Sequence, residues 1–231
     1  MLEIEKEFDV DPPLISPLTL RTSPSSFSKM VSTISQAQKD FVRSFGFGFL
    51  LDFNIDAPTP RLGHHVVQSF DPKNMVIKNE RGDIIVDSQA VNDVFGLPNG
   101  GEDIHELKSL GKYIEFHQRW MAQYPHEGKG SQKVYATDIC SKICSSTEVD
   151  EFFKMNFVML FLTSVIFCEN GGKCFDSLLL RIGNDTDLLS LDWCGYVLWH
   201  LRKSKTHWKP HNPKSYYCGP VTFLIVSSFY I

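Results

Sequence analysis

The chain has 231 residues, is 42% hydrophobic and 22% charged, and carries a formal net charge of −4. That apolar share can fill a sizeable core and, with 18 Phe among its aromatic residues, excludes a wholly disordered chain. The slight acidity argues against a protein that grips duplex nucleic acid through an overall cationic surface.

Residues 1–24 mix acids with Pro12, Pro13, Pro17 and Pro24 and show neither helical nor strand period. They read as a disordered or extended tail outside the core. No basic region followed by an apolar core marks a secretory signal. The six cysteines, Cys140, Cys144, Cys168, Cys174, Cys194 and Cys218, are therefore expected as reduced thiols in the cytosol or nucleus.

Residues 25–231 are expected to form a single helical domain. Phe27, Met30, Val31, Ile34, Phe41 and Val42 have near-helical spacing over Ser25–Ser44, with Ser35 placed to cap a second helix. Gly46 and Gly48 break that pattern, leaving a short buried segment up to Ile55. Pro60 suits the first position of a helix that ends near Asp71-Pro72. Met75–Lys78 and Asp83–Val86, joined by Asn79-Glu80-Arg81-Gly82, predict a β-hairpin. Asp87 or Ser88 then caps a helix whose Val91, Val94 and Phe95 share one face and whose stop is Gly96.

Asp103–Gln123 alternates charged and apolar positions at helical spacing and predicts a half-solvated helix. A short helix follows over Lys133–Cys144. Ser145 with Glu148 fits a capping box at the head of the longest apolar run, Ser145–Asn170. That run falls short of the ~20 apolar residues a bilayer demands, so a helix buried on all sides is expected rather than a membrane span. Cys174–Ile182 reads as a further short helix. Ser190 is placed to cap LDWCGYVLWHLRKSK, in which Leu191, Cys194, Leu198 and Leu201 make one stripe and Trp193, Tyr196, Val197 and His200 a second. Pro220 opens a last helix that reaches Ile231 with no C-cap, so the domain is expected to be truncated at its C-terminus. The fold class is mainly α: a multi-helix globular domain with one small β-hairpin near residues 75–86.

Nucleotide-loop, dinucleotide, zincin and hydrolase signatures are absent from the sequence. His207-Trp208 and Cys218-Gly219 echo the His-Trp and Asp-Cys-Gly blocks of SUMO-type cysteine proteases. Here, however, no Asp or Gln lies between the two blocks, and Tyr217 stands where that family carries Asp. Cys194, His200, His207, His211 and Cys218, or Cys140 with Cys144, lack paired zinc-ligand spacing. Arg202–Lys214 holds five basic residues and reads as the solvated end of a helix and its loop, or as a nucleic-acid contact. His64-His65 reads as a structural pair. No catalytic, cofactor-binding or metal residue is assigned.

The blocks VRSFGFGFLLDF, RLGHHVVQSFDP, VIKNERGDIIVDSQAVNDVFGLP, LDWCGYVLWHL and YYCGPVTFLIVSSFY resemble, in order, those of the plant mobile domain, often labelled aminotransferase-like. They also resemble the related region ahead of the protease domain in plant transposon-associated SUMO-protease-like proteins. The resemblance implies a non-catalytic helical interaction domain of transposon-derived origin, nuclear or cytosolic, with protein or chromatin partners. Despite the aminotransferase-like label, no lysine stands out for a pyridoxal cofactor. Two alternatives are a fragment of a ubiquitin-like-protein cysteine protease without its catalytic domain, and a DNA-binding module.

Overall fold

In the computed structural model, which describes Leu18 and residues 23–229 except 110, 126–129, 169, 211, 213 and 214, the chain is mainly α-helical. Its helices are α1 (Ser25–Thr33), α2 (Gln36–Ser44), α3 (Pro60–Ser69), α4 (Ser88–Phe95), α5 (Gly111–Met121), α6 (Ala136–Cys144), α7 (Glu151–Phe161), α8 (Trp193–His207) and α9 (Val221–Ser227). Three two-residue strands, β1 (Phe70–Asp71), β2 (Val76–Ile77) and β3 (Ile84–Ile85), form one antiparallel sheet in that order. Phe70 pairs with Ile77, and Val76 with Ile85.

The hairpin is thus present as β2 and β3, and β1 adds a strand that the sequence reading places within a helix. α3 stops at Ser69 because Phe70 turns to extended backbone and buries its ring, while Lys78 N donates to the Ser69 carbonyl at 2.9 Å. Short-range signals hold elsewhere. Ser35 caps α2 through a reciprocal box with Gln38, and Asp87 caps α4. Gly96 ends α4 in the left-handed region, where an added Cβ would lie 2.2 Å from Phe49, so position 96 requires glycine on both counts.

The apolar run forms the spine, but it starts later than expected. Asp150, not Ser145, caps α7: its carboxylate accepts from Phe153 N at 2.7 Å. Ser145 instead ends α6, its hydroxyl donating to the Lys142 carbonyl. The two expected helices are both present, but their junction spans Ser145–Asp150 instead of falling at Ser145. Phe153 and every residue from Met155 to Phe161 are buried, as the all-round apolarity requires. Phe157 packs on Phe27 and Phe45 with ring centroids 5.4 and 6.0 Å away, and Phe161 packs on Phe27 and Phe95, both at 5.5 Å. Asn156, the polar interruption, accepts the Tyr124 hydroxyl at 2.8 Å and donates to Gln123, so its burial leaves no unmade bond on those atoms.

The spine then widens into a π-helical turn, Leu162–Phe167, in which Cys168 N reaches back to the Thr163 carbonyl at 3.2 Å. Cys168 leaves it in the left-handed region with φ 46°. Cys174–Ile182 forms a single 3-10 turn, Asp176–Leu180, rather than an α-helix, and the half-solvated helix over Asp103–Gln123 narrows to α5.

The N-terminal segment is not wholly outside the core. Leu18 is 5% exposed and its N donates to the Pro60 carbonyl at 3.0 Å; of the expected tail, the remaining residues up to 22 lie outside the described residues. The last helix ends at Ser227, short of the expected Ile231, and 230–231 lie outside the described residues. One contiguous apolar core runs from Leu18 to Leu224. Among the described residues, no helix is long and apolar enough to cross a membrane.

Candidate functional site

Helix α8 has more faces than it can bury. Asp192 caps it, accepting from Gly195 N at 2.9 Å, while Ser190 lies in a preceding 3-10 turn and donates to the Asp187 carbonyl. The expected Ser190 cap thus falls to the carboxylate adjoining the first helical residue. Trp193, Cys194, Val197 and Leu201 enter the core. A third face, Tyr196, Trp199, His200, Lys203, Ser204 and His207, recurs at helical spacing and lines a cavity of about 440 Å³. The face spans roughly 16 Å of helix.

Three other segments complete the walls. Phe167, at the end of the π-helical turn, and Phe175, Leu178 and Arg181, around the following 3-10 turn, stand opposite α8. His105 arrives on the loop after α4; Trp208, Tyr216 and Cys218 close the far end.

Backbone pairing fixes that loop. Glu102 N donates to the Ser190 carbonyl at 2.8 Å, and Asp192 N donates to the Glu102 carbonyl at 3.0 Å. Gly101, at φ +114°, permits this approach, since a Cβ there would lie 2.3 Å from the Ser190 carbonyl oxygen. His105 N then donates to Asp103 Oδ1, and Arg181 Nη1 donates to the His105 carbonyl at 3.3 Å. The His105 ring lies 4.1 Å from Trp199 and 4.8 Å from Tyr196 by centroid. His200 lies 4.4 Å from Phe167. Lys203 Nζ sits 4.5 Å from the Trp199 centroid. Phe175 and Trp199, 47% and 42% exposed, leave aromatic surface open to solvent.

Among the described residues, the lining includes the cations Arg181 and Lys203 and no carboxylate. Neither cation enters an ion pair among the described residues. Burial pushes the His200 imidazole down to about 3, reinforced by His105 and Lys203. Burial also lowers His105; Arg181 and Lys203 add to this, while Asp103 and Glu106 oppose it. Both rings are therefore neutral at neutral pH, each with one donor and one acceptor nitrogen. The Nε2 atom of each is buried without a hydrogen-bond partner.

His207 and Cys218 line this same cavity. His207 Nδ1 lies 2.7 Å from the Lys203 carbonyl, which can only accept, so the neutral ring carries its proton on Nδ1. Tyr217, at the position of the protease family's Asp, is buried with its hydroxyl 3.1 Å from Ser204 Oγ. Cys194 does not join the cavity; its Sγ lies 3.4 Å from the Leu97 carbonyl, and burial pushes its thiol up to about 12. His211 lies outside the described residues, among which no group of three His, Cys, Asp or Glu could hold a metal ion. Cys140 and Cys144 stand with sulfurs 4.0 Å apart, and burial pushes Cys140 up to about 11.

The basic strip does not form one solvated face. Lys205 turns inward to the Val67 and Gln68 carbonyls at the end of α3 and lies 4.8 Å from the Trp208 centroid. Lys203 faces the cavity, and Lys214 lies outside the described residues. His64 is buried edge-on against Trp208 at 5.6 Å, while His65 is exposed.

The sequence singles out none of Trp199, Arg181 and His105, and Lys203 only as part of the Arg202–Lys214 strip. The signal for Trp199 and Lys203 was present as the third periodicity of α8; Arg181 and His105 had none, because they reach the site only through tertiary pairing.

The fold and groove define a mainly α-helical domain with an aromatic, cation-bearing cavity along α8. The chain belongs to the family described as domain of unknown function (DUF8566), which matches residues 20–225. No curated protein and no solved structure matches the chain.

Proposed function

We propose that the protein is a non-catalytic helical binding domain and that the groove along α8 is its binding site. The observation carrying this reading is the third face of α8, where Trp199 and Lys203 stay accessible beside a face whose Trp193, Cys194, Val197 and Leu201 are absorbed by the core. Accessible Trp and Arg beside unpartnered imidazole nitrogens are the composition of a recognition surface. The block order resembling the plant mobile domain supports a transposon-derived interaction domain acting on protein or chromatin partners in the nucleus.

A thermal-shift screen with anionic, neutral and cationic metabolites and acidic peptides, run on wild type and Trp199→Ala, tests the binding reading. Stabilisation that the variant loses is expected; its absence for every probe overturns the reading. The presence of His207 and Cys218 in one cavity favours a second reading, that of a cysteine peptidase. Cleavage of a SUMO-type precursor by the purified protein, abolished by Cys218→Ala, would replace the non-catalytic proposal with it.

A further inference from the structure

We infer that the α8 groove takes a mononucleotide-class ligand, a heteroaromatic ring carrying a phosphate. The inference rests on the groove being the binding site.

Charge selects the anionic part. Arg181 and Lys203 face the cavity, whose described lining residues include no carboxylate, and Asp176, beside Phe175 in sequence, is held by His117 at 2.8 Å. A cationic ligand would meet like charge from Arg181 and Lys203. Two cations match a phosphomonoester, which bears about −1.5 to −2 charges near neutrality; a carboxylate would offset only one. The Arg181 fork and the Lys203 ammonium also supply several donors to three phosphate oxygens.

Ring chemistry selects the remainder. Trp199 and Phe175 offer accessible aromatic surface, and His105 and Tyr196 extend the Trp199 side. Such platforms accept any planar base by stacking. The imidazoles of His105 and His200 and the hydroxyls of Ser177 and Ser204 line the cavity, so a ring with its own edge donors and acceptors meets a polar lining that a plain phenyl ring cannot use. A cavity of about 440 Å³ lies within the range of roughly 300–1,000 Å³ typical of small-molecule sites.

The test is calorimetric titration of the full chain with AMP, GMP, adenosine, inorganic phosphate, phenyl phosphate, benzoate, an acidic peptide and a ten-nucleotide single strand. One AMP or GMP per chain is expected, bound at least about tenfold more tightly than adenosine, phosphate or phenyl phosphate. Arg181→Ala and Lys203→Ala should each weaken it at least about tenfold with unchanged circular dichroism. Lys203→Gln, at an exposed side chain, keeps the test decisive if Arg181→Ala does not fold. Binding of neither mononucleotide, indifference to both charge substitutions, equal binding of adenosine or phenyl phosphate, or binding of the oligonucleotide alone overturns the inference. Benzoate or peptide binding that requires Trp199, with no mononucleotide binding, overturns it while leaving the groove as a binding site. If no probe shows Trp199-dependent binding, both proposals fall.

Discussion

His105 and Trp199, far apart in sequence, lie with ring centroids 4.1 Å apart and planes inclined at 40°. The same Trp199 ring carries the Lys203 ammonium. This contact ties the loop after α4 to α8 and sets one wall of the groove. Trp199→Ala should cost about 1–2 kcal/mol in urea unfolding, since the ring is only partly buried. A double-mutant cycle with His105→Ala should return a coupling of about 0.5–1.5 kcal/mol. Zero coupling would show that the two rings do not support each other.

The start of the spine is open to a direct comparison. Asp150 bonds the Phe153 amide, whereas the Ser145 hydroxyl donates to the Lys142 carbonyl behind it. Asp150→Ala is expected to cost about 1 kcal/mol as a lost N-cap, and Ser145→Ala to stay within about 0.5 kcal/mol. The reverse ranking in chemical denaturation would restore the Ser145 cap and join α6 to α7 differently.

Phe157 is fully buried and packs on Phe27, Phe45 and Phe153. Truncation to Ala should cost about 3–5 kcal/mol. Phe157→Asp should leave no folded protein, because a carboxylate in that cluster has no partner. A soluble Phe157→Asp chain with the wild-type melting temperature would place the core elsewhere.

His200 makes stability depend on pH. Its folded value, about 3, lies below its ordinary value of 6.5, so between these limits the unfolded chain binds more protons. Stability from the buried neutral ring is fully present above about 6.5 and is lost as pH falls towards 3. His105 shifts in the same direction and adds a contribution of the same sign. Urea unfolding at pH 7, 6, 5 and 4 should show a steeper loss for wild type than for His200→Gln. Parallel slopes would mean that the ring is solvated or charged in the folded state.

Much of the fold was legible because helix and turn signals act over a few residues. Ser35, Asp87 and Gly96 stop or start helices through bonds to neighbours three or four positions away, and the spine announces its burial by being apolar all round. Cap choice was less legible where two acceptors compete within a few residues: Ser145 yields to Asp150, and Ser190 to Asp192, since the winner depends on where the preceding chain has already turned. Leu18 was misread because its anchor, the Pro60 carbonyl, lies in a distant segment.

The sequence by itself determined a mainly helical chain, its small hairpin and a buried apolar spine, because period and local hydrogen bonding encode them. Only the tertiary structure decided that one face of α8 stays partly open. Burial of Trp193, Cys194, Val197 and Leu201 leaves Trp199 and Lys203 at the edge of a cavity, and long-range pairing brings His105, Phe167 and Arg181 to meet them. Aromatic surface, paired cations and unpartnered imidazoles arrive there from separate stretches, and no local pattern records that convergence.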